Sequence, residues 1–303
     1  MSFLETLLDG NNAKERKKKQ LCAIAISVTA LALVIALIAF AICQVVGISA
    51  GNGEEKETTV EKETVDLGET KVIELSDEAA PYTGNLLTLN DNNHYKGRPE
   101  LVNIYDSRNG AYVSVLLANR GKFEGTAEMV EKLCAMVTDC NEAISDNNLV
   151  VSGAFDSSAI STQNGIYSSG EAIALDCFAE GSERDTVSIN EVEKYKWIYT
   201  NAYKYGFVAV SSSSNVFRYV GKLHATAAKY NGLYLNNYLK ALKNATVESP
   251  LKLNESGSYI AYTCPVNDVK VPVNYSYEIS GNNVGGVIVT VNLSKSATQN
   301  TAQ

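Results

Sequence analysis

The spacing of hydrophobic positions changes along this chain and divides it into segments. Residues Leu21 to Ile42 form an apolar run without a charged side chain. As an α-helix at ~1.5 Å per residue, the run would be about 33 Å long, enough to cross the apolar core of a bilayer. Further along, residues 126–144 carry apolar side chains at helical spacing, and residues 149–154 and 173–178 are short apolar runs typical of buried strands.

The second half of the chain alternates between helical and strand patterns. Residues 189–205 have a helical pattern that Gly206 ends, and residues 207–210 favour a strand. Helices are predicted over residues 221–230 and 233–243, with a turn between them, and the sequence from Tyr259 onward alternates as strands do. The pattern predicts an α+β domain in which helices pack on a mainly antiparallel sheet, followed by a β-rich appendage.

Charges around the first apolar run predict its orientation. Five basic residues precede it and the next basic residue after it is Lys56, so the positive-inside rule places the N-terminus in the cytoplasm and the rest outside the cell. We therefore expect a cytoplasmic basic tail at residues 1–20, a single-pass signal anchor at 21–48 in the cell membrane, and a polar, flexible stalk at 49–78. A cleaved signal peptide is the alternative, although this apolar run is longer than such peptides use.

Composition narrows the function classes. The net charge of −8 argues against nucleic acid as a partner. The cysteines do not indicate a disulfide-rich scaffold. Cys134 and Cys140 lie six residues apart in a predicted helix and are poor candidates for a local disulfide, while Cys177 and Cys264 fall in strand-like segments and are expected to be buried free thiols.

The segment from Asn215 to Gly221 carries the most specific pattern. It reads Asn-Val-Phe-Arg-Tyr-Val-Gly and resembles the second zinc motif of the VanY-like D-alanyl-D-alanine carboxypeptidases, Glu-Pro-Trp-His followed by Phe-Arg-Tyr-Val-Gly. The family resemblance extends over roughly residues 80–295 and includes Val150–Gly153 and Ala174–Asp176. It implies a zinc D,D-peptidase fold for residues 79–247 and the β-rich appendage at 248–297. We expect residues 298–303 to be a disordered tail.

The resemblance also implies that the reactive positions are substituted. The general base falls on Ser213 and one zinc histidine on Val216, while the first zinc histidine, seven residues before Asp176, falls on Ser169. Only Asp176 remains of three implied ligands. Valine has no lone pair for a metal, and a neutral serine cannot act as a carboxylate base does. The substrate-binding arginine falls on Phe155, which leaves Arg218 as a cation for the old cleft or as a structural residue.

Two histidines could rebuild a metal site. His94 lies in a polar turn and His224 lies in a predicted helix, where the family often carries a histidine that is not a ligand. We expect both to be solvated or structural. Cys177 adjoins Asp176, but neighbouring residues on a strand point to opposite faces.

Two hypotheses follow. The first is a membrane-anchored, non-catalytic member of the family that binds peptidoglycan stem peptides or another envelope protein through a vestigial cleft formed by Ser169, Asp176, Arg218 and Phe155, without a cofactor. The alternative is an active zinc D,D-carboxypeptidase that releases terminal D-alanine from cell-wall peptides, in which zinc would activate a water molecule.

Overall fold

The computed structural model describes residues 65–296, apart from 76, 98, 109–113, 116–120 and 164. The predicted tail, signal anchor and residues 49–64 of the stalk lie outside this part, as do residues 298–303. The α-helices are α1 (Ala127–Ile144), α2 (Ile160–Gln163), α3 (Lys196–Asn201), α4 (Lys222–Tyr230) and α5 (Leu235–Lys243). No helix among the described residues is both long and apolar enough to cross a membrane.

The strands form four sheets, mostly through antiparallel pairs. A central sheet has the order β3 (Ser114–Val115), β5 (Leu149–Gly153), β7 (Ala172–Phe178), β10 (Val216–Tyr219) and β9 (Phe207–Ala209), and β8 (Thr186–Ser188) also pairs with β7. A second sheet has the order β11 (Leu251–Lys252), β12 (Tyr259–Pro265), β15 (Gly286–Ser296) and β14 (Tyr275–Gly281). A three-stranded sheet has the order β2 (Val102–Asn103), β4 (Phe123–Gly125) and β6 (Phe155–Asp156). A two-stranded sheet pairs β1 (Thr70–Ile73) with β13 (Val269–Pro272). The predicted α+β class is confirmed.

Helix α1 covers one face of the central sheet. The Thr126 side chain accepts a hydrogen bond from the Met129 amide and caps the first turn, and Ser145 ends the helix in a left-handed conformation. The buried stripe of α1 packs against Ile173, Leu175 and other residues of the sheet. Because side chains alternate along a strand, Ala172, Ala174 and Asp176 lie on the opposite face.

Helices α4 and α5 pack on the second sheet and share one hydrophobic core with it. Ala225, Leu235 and Leu242 from the helices join Ile260 and Val289 from the sheet in this core. Residues 248–296 therefore build part of the main fold rather than the separate appendage expected at 248–297. An amphipathic helix cannot cover its apolar face by itself, and here the sheet provides the apolar surface against which α4 and α5 pack.

Two expectations from the sequence need correction. The end of the predicted stalk is ordered: β1 pairs with β13 from Thr70↔Pro272 to Ile73↔Val269, and Leu67 is buried in the core beside it. The polar composition of the segment as a whole concealed this alternation of apolar residues. The predicted helix at 189–205 is instead a series of 3-10 turns around the six-residue α3. The last of these turns, Ala202–Tyr205, ends at Gly206, whose φ is +91°.

Candidate functional site

The ladder between β7 and β10 brings two of the predicted site positions together. Val216 pairs with Ala174, and Arg218 pairs with Ala172. Directly opposite residues of an antiparallel pair share a face of the sheet. Val216 therefore lies on the same face as Asp176 and close to it, as the resemblance implied for two ligand positions.

Asp176 is half-buried and bound by a neighbouring amide. The Nδ2 group of Asn215 donates a hydrogen bond to Oδ1 of Asp176 at 2.7 Å. The backbone holds Asn215 in place, since its carbonyl accepts a hydrogen bond from the Leu175 amide at 3.0 Å. The carboxylate therefore has a hydrogen-bond donor in the residue that precedes Val216.

Tyr167 occupies the sheet face next to Asp176. A Cβ atom placed on Gly153 would lie 3.1 Å from the Tyr167 hydroxyl and 3.1 Å from the Ala174 Cβ. Glycine at 153 therefore leaves the room that the tyrosine uses. Burial, and then the nearby Asp176 carboxylate, raise the pKa of the Tyr167 hydroxyl, so this group remains neutral near Asp176 at physiological pH.

The loop that carries Ser213 is a short hairpin between β9 and β10, held in place by hydrogen bonds. Its carbonyl groups accept hydrogen bonds from two side chains outside the loop: Asn190 Nδ2 binds the Ser213 carbonyl at 2.7 Å, and the Tyr199 hydroxyl binds the Ser214 carbonyl at 3.0 Å. The Ser214 hydroxyl accepts from the Val216 amide at 3.0 Å. The exposed side chain of Ser213 stands on this fixed turn, where a carboxylate base is implied by the resemblance.

Ser169, at the first implied ligand position, is buried rather than facing an open cleft. It is 3% exposed, and its hydroxyl donates to Oε2 of Glu171 at 3.4 Å. The same oxygen accepts a hydrogen bond from Nη2 of Arg218 at 3.1 Å, and Nη1 of Arg218 donates to the Leu87 carbonyl at 2.9 Å. The structural interpretation of Arg218 is the one that these contacts support.

Glu171 and Arg218 form an ion pair removed from water. Burial raises the pKa of the Glu171 carboxyl to about 7, although the attraction of Arg218 opposes this rise. Burial lowers the pKa of the Arg218 guanidinium, again against the attraction of its partner. For both groups the loss of hydration outweighs the attraction between them.

Phe155 lies in a different sheet from Asp176. It belongs to β6 and pairs with Glu124 of β4, while Asp176 pairs with Val150 and Ser188. The side chain of Phe155 is half-buried and has no group that could bind a carboxylate. Of the four predicted cleft residues, Ser169 and Arg218 meet at Glu171, and Asp176 lies beside Val216.

The two histidines have structural contacts. His224 is buried, with Nδ1 at 2.7 Å from the Tyr238 hydroxyl and Nε2 at 3.0 Å from Oγ1 of Thr290. Nδ1 of His94 accepts a hydrogen bond from the Gly165 amide at 3.3 Å. In the part of the chain that the structure describes, no group of three His, Cys, Asp or Glu side chains is arranged to hold a metal ion.

The cysteines follow the sequence prediction. Cys134, Cys140, Cys177 and Cys264 are all free and buried, which confirms the expectation for Cys177 and Cys264. Burial raises the pKa of the Cys177 thiol, so it is a poor thiolate ligand.

Sequence reasoning missed the partners of the predicted residues. Asn215 was noted as part of the motif but not as the group that binds Asp176, and Glu171 was not singled out. The signal for Glu171 was the charged Arg218 within an apolar strand, because a buried cation requires an acidic partner.

Comparisons with known proteins agree with the α+β fold. No protein-family model matches the chain. It is 29% identical over 244 residues to a D-alanyl-D-alanine carboxypeptidase of Enterococcus faecium, over 71% of this chain and 77% of that protein. The structure of the vancomycin-resistance D,D-dipeptidase VanXYg, solved with a D-Ala-D-Ala phosphinate analogue, is similar with a TM-score of 0.54 and 21% identity, covering 74% of this chain and 100% of that chain. VanYB, solved with D-alanine-D-alanine, is similar with a TM-score of 0.36 and 19% identity over 52% of this chain and 99% of that chain. The chain is therefore homologous to an enterococcal D-alanyl-D-alanine carboxypeptidase and has the α+β fold of a D,D-dipeptidase.

Proposed function

We propose that this chain is a non-catalytic relative of the D-alanyl-D-alanine carboxypeptidases that acts as a binding module in the cell envelope. The observation that carries the proposal is that Val216, which has no lone pair, lies beside Asp176 on one face of the sheet, where Asn215 donates a 2.7 Å hydrogen bond to the carboxylate. Asn215 stabilises the carboxylate through a hydrogen bond, while Val216 offers no lone pair for a metal ion.

The donor set at the implied metal position does not fit zinc. Zinc in a catalytic site takes three nitrogen, sulfur or carboxylate ligands from the protein. Val216 supplies none of these, and Ser169 is buried against Glu171. Ser213 has a neutral hydroxyl where the resemblance implies a base. No catalytic step is therefore assigned to this site.

The ligand class to test first comes from the relative. The enterococcal homologue is a D-alanyl-D-alanine carboxypeptidase, so peptides that end in D-Ala-D-Ala are candidate ligands of this chain. The opposing consideration is that Arg218 is committed to Glu171 and that Phe155 is uncharged. Without a cation from either position, the peptide carboxylate loses its implied partner, which favours an envelope protein as the second candidate ligand.

We place the protein at the cell membrane, with its N-terminus in the cytoplasm and its folded part outside. The support is the apolar run at residues 21–42 and the basic residues that precede it. Protease treatment of intact cells tests this proposal. A C-terminal tag should be digested while an N-terminal tag survives, and protection of the C-terminal tag would contradict the orientation.

Metal analysis and an activity assay test the proposed loss of catalysis. The full-length chain is purified, its zinc content is measured, and release of D-alanine from a pentapeptide ending in D-Ala-D-Ala is followed with and without added zinc. We expect zinc well below one ion per chain and no D-alanine release above that of Asp176→Ala. Stoichiometric zinc together with D-alanine release that Asp176→Ala abolishes would establish the active enzyme instead.

A binding measurement then separates the two ligand classes. Titration of the full-length chain with the same pentapeptide, followed by calorimetry, should show saturable binding that weakens in Asn215→Ala if the face around Asp176 binds stem peptides. Asn148→Ala is a matched control, because that amide also donates to a carboxylate at 2.7 Å, but to Asp146 and not to Asp176. Absence of binding would exclude stem peptides and leave an envelope protein as the partner class.

A further inference from the structure

A pocket separate from the face around Asp176 lies on the sheet formed by β11, β12, β15 and β14. The strand register builds its floor from two rows of side chains on one face of the sheet. Tyr259, Asn292 and Ser276 form the first row across β12, β15 and β14. Thr290 and Glu278 continue the second row, and Leu223 from the first turn of α4 forms a wall. The cavity has a volume of about 260 Å³.

Two groups in the pocket are held rigidly by the protein. Nδ2 of Asn292 donates to the Tyr259 hydroxyl at 2.9 Å, and Oδ1 of Asn292 accepts from the Ser294 amide at 2.9 Å. These bonds fix the aromatic ring of Tyr259 at one side of the pocket. Rigid aromatic walls with a few placed polar groups are typical of small-molecule sites.

A buried chain of hydrogen bonds fixes the role of Thr290. The Tyr238 hydroxyl is fully buried and lies 2.7 Å from Nδ1 of His224, so it satisfies its proton by donating to that nitrogen. His224 is neutral, because burial lowers its pKa to about 4. Its other nitrogen, Nε2, then carries the proton and donates to Oγ1 of Thr290 at 3.0 Å. The Thr290 hydroxyl is left to donate its own proton into the pocket.

Two other polar groups face the pocket without a partner in the described part of the chain. Glu278 is exposed and presents a carboxylate that only accepts hydrogen bonds. Ser276 is largely buried, and its hydroxyl can donate or accept. The pocket therefore presents a donor at Thr290, an acceptor at Glu278 and a hydroxyl at Ser276, all beside the ring of Tyr259.

We infer that this pocket is a binding site for a neutral pyranose ring of a glycan. Adjacent hydroxyls of a sugar each offer a donor and an acceptor, which matches Thr290 and Glu278 in neighbouring strands. The C–H face of a sugar ring is apolar and can pack on Tyr259. The volume lies somewhat below the range of about 300–1,000 Å³ for drug-sized ligands, which fits a single ring.

The charge of the lining argues against an anionic ligand. Glu278 is the one charged side chain among the described residues that line the pocket. A phosphate or carboxylate would be repelled by it and would find no basic partner there. An amine is the competing cationic ligand, but an amine would leave the donor of Thr290 unused.

Titration with simple saccharides tests the inference without depending on the proposed peptide function. The full-length chain is titrated with chitotriose and with cellotriose, two neutral trisaccharides without a peptide, and binding is followed by NMR or calorimetry. We expect saturable binding of at least one of them. Glu278→Gln should weaken it by about tenfold, since one charge-assisted hydrogen bond is lost.

Matched variants distinguish the site from a general loss of structure. Thr290→Val removes the hydroxyl donor and should weaken saccharide binding. Thr290→Ser keeps the hydroxyl and should bind saccharide about as well as the wild type. Glu255→Gln changes an exposed glutamate in the turn after β11, outside the pocket, and should leave the affinity unchanged. A thermal melt checks the fold of Thr290→Val, and the exposed position of Glu278 makes its variant informative in any case.

Three outcomes would overturn the inference. The first is no saturable binding of either trisaccharide at tens of millimolar. The second is equal affinity for the wild type and Glu278→Gln. The third is binding of a simple amine such as lysine amide that Glu278→Gln abolishes while neither saccharide competes. Because Asp176→Ala does not touch this pocket, it should bind saccharide normally even if the proposed peptide function fails.

Discussion

Glu171 is expected to make the stability of the protein depend on pH in an unusual direction. Its carboxyl has a pKa of about 7 in the folded chain, against an ordinary value of 4.5, because burial disfavours its charged form. The folded state therefore holds a proton between these two values that the unfolded state has released. The contribution of Glu171 to stability is fully present below pH 4.5 and is lost as the pH rises toward 7.

The size of the effect follows from the two pKa values. A rise from 4.5 to about 7 corresponds to roughly 3 kcal/mol, at about 1.4 kcal/mol for each tenfold change in an equilibrium constant. Arg218 remains 3.1 Å away and limits the effect, so the value is of that order and not larger. The other groups that act on Glu171 are Ser169, which binds it, and Glu128, whose charge raises its pKa.

The perturbation is Glu171→Gln, which keeps the shape of the protonated side chain and removes its titration. The free energy of unfolding is measured by urea denaturation of the full-length chain at several pH values from 4.5 to 8. We expect the variant to be close to the wild type near pH 4.5 and to become more stable relative to it by roughly 3 kcal/mol as the pH passes 7. Glu180→Gln, at an exposed position, is the control.

The free energy of unfolding of the variant must be compared with that of the wild type at each pH, because His224 makes the stability of both proteins change with pH in the opposite direction. Burial lowers the pKa of His224 from 6.5 to about 4. Its contribution to stability is present above pH 6.5 and is lost as the pH falls toward 4, and this change is common to both proteins. A difference between Glu171→Gln and the wild type that stays constant from pH 4.5 to 8 would refute the reasoning.

Two further substitutions test the packing around this strand. Gly206→Ala should lower the free energy of unfolding by roughly 1–3 kcal/mol, because φ is +91° and the new Cβ would lie 2.5 Å from the Tyr219 ring. Gly232→Ala should lower it by less, because φ is +65° there but no atom lies within 4 Å of the new Cβ. Both are measured by urea denaturation. Arg218→Met should destabilise the fold by about 1–3 kcal/mol for each group left unsatisfied, because the buried Leu87 carbonyl and Glu171 carboxyl lose their hydrogen-bond donor. Glu171→Met combined with Arg218→Met should be closer to the wild type than the sum of the two single variants. A double variant as unstable as the sum of the Arg218→Met and Glu171→Met single variants would show that the two side chains are not energetically coupled and would contradict this expectation.

Local patterns were sufficient to predict the elements that flank the site. Helix α1 was expected over 126–144 and lies at Ala127–Ile144, and the strand expected at 173–178 lies at Ala172–Phe178. These elements bury wide apolar faces, and such faces leave a periodic signal in the sequence. The series of 3-10 turns before Gly206 was misread as a long helix, because both structures place apolar residues three or four positions apart.

The resemblance predicted the proximity of two candidate site positions but not the contacts that they make. The resemblance placed Asp176 and Val216 near each other, and the register of β7 and β10 agrees. It did not give the hydrogen bond from Asn215 or the burial of Ser169. These depend on how strands and loops far apart in the sequence pack together.

The sequence by itself determined which chemistry is present: an aspartate, serines and a valine at the implied reactive positions, and a charged arginine within an apolar strand. Only the tertiary structure decided how these groups are used. It placed Glu171 against Arg218, 47 residues along the chain, and joined α4 and α5 to the second sheet in one core. The physical reason is that burial and long-range pairing set the energy of a polar group, and neither is encoded in the residues next to it.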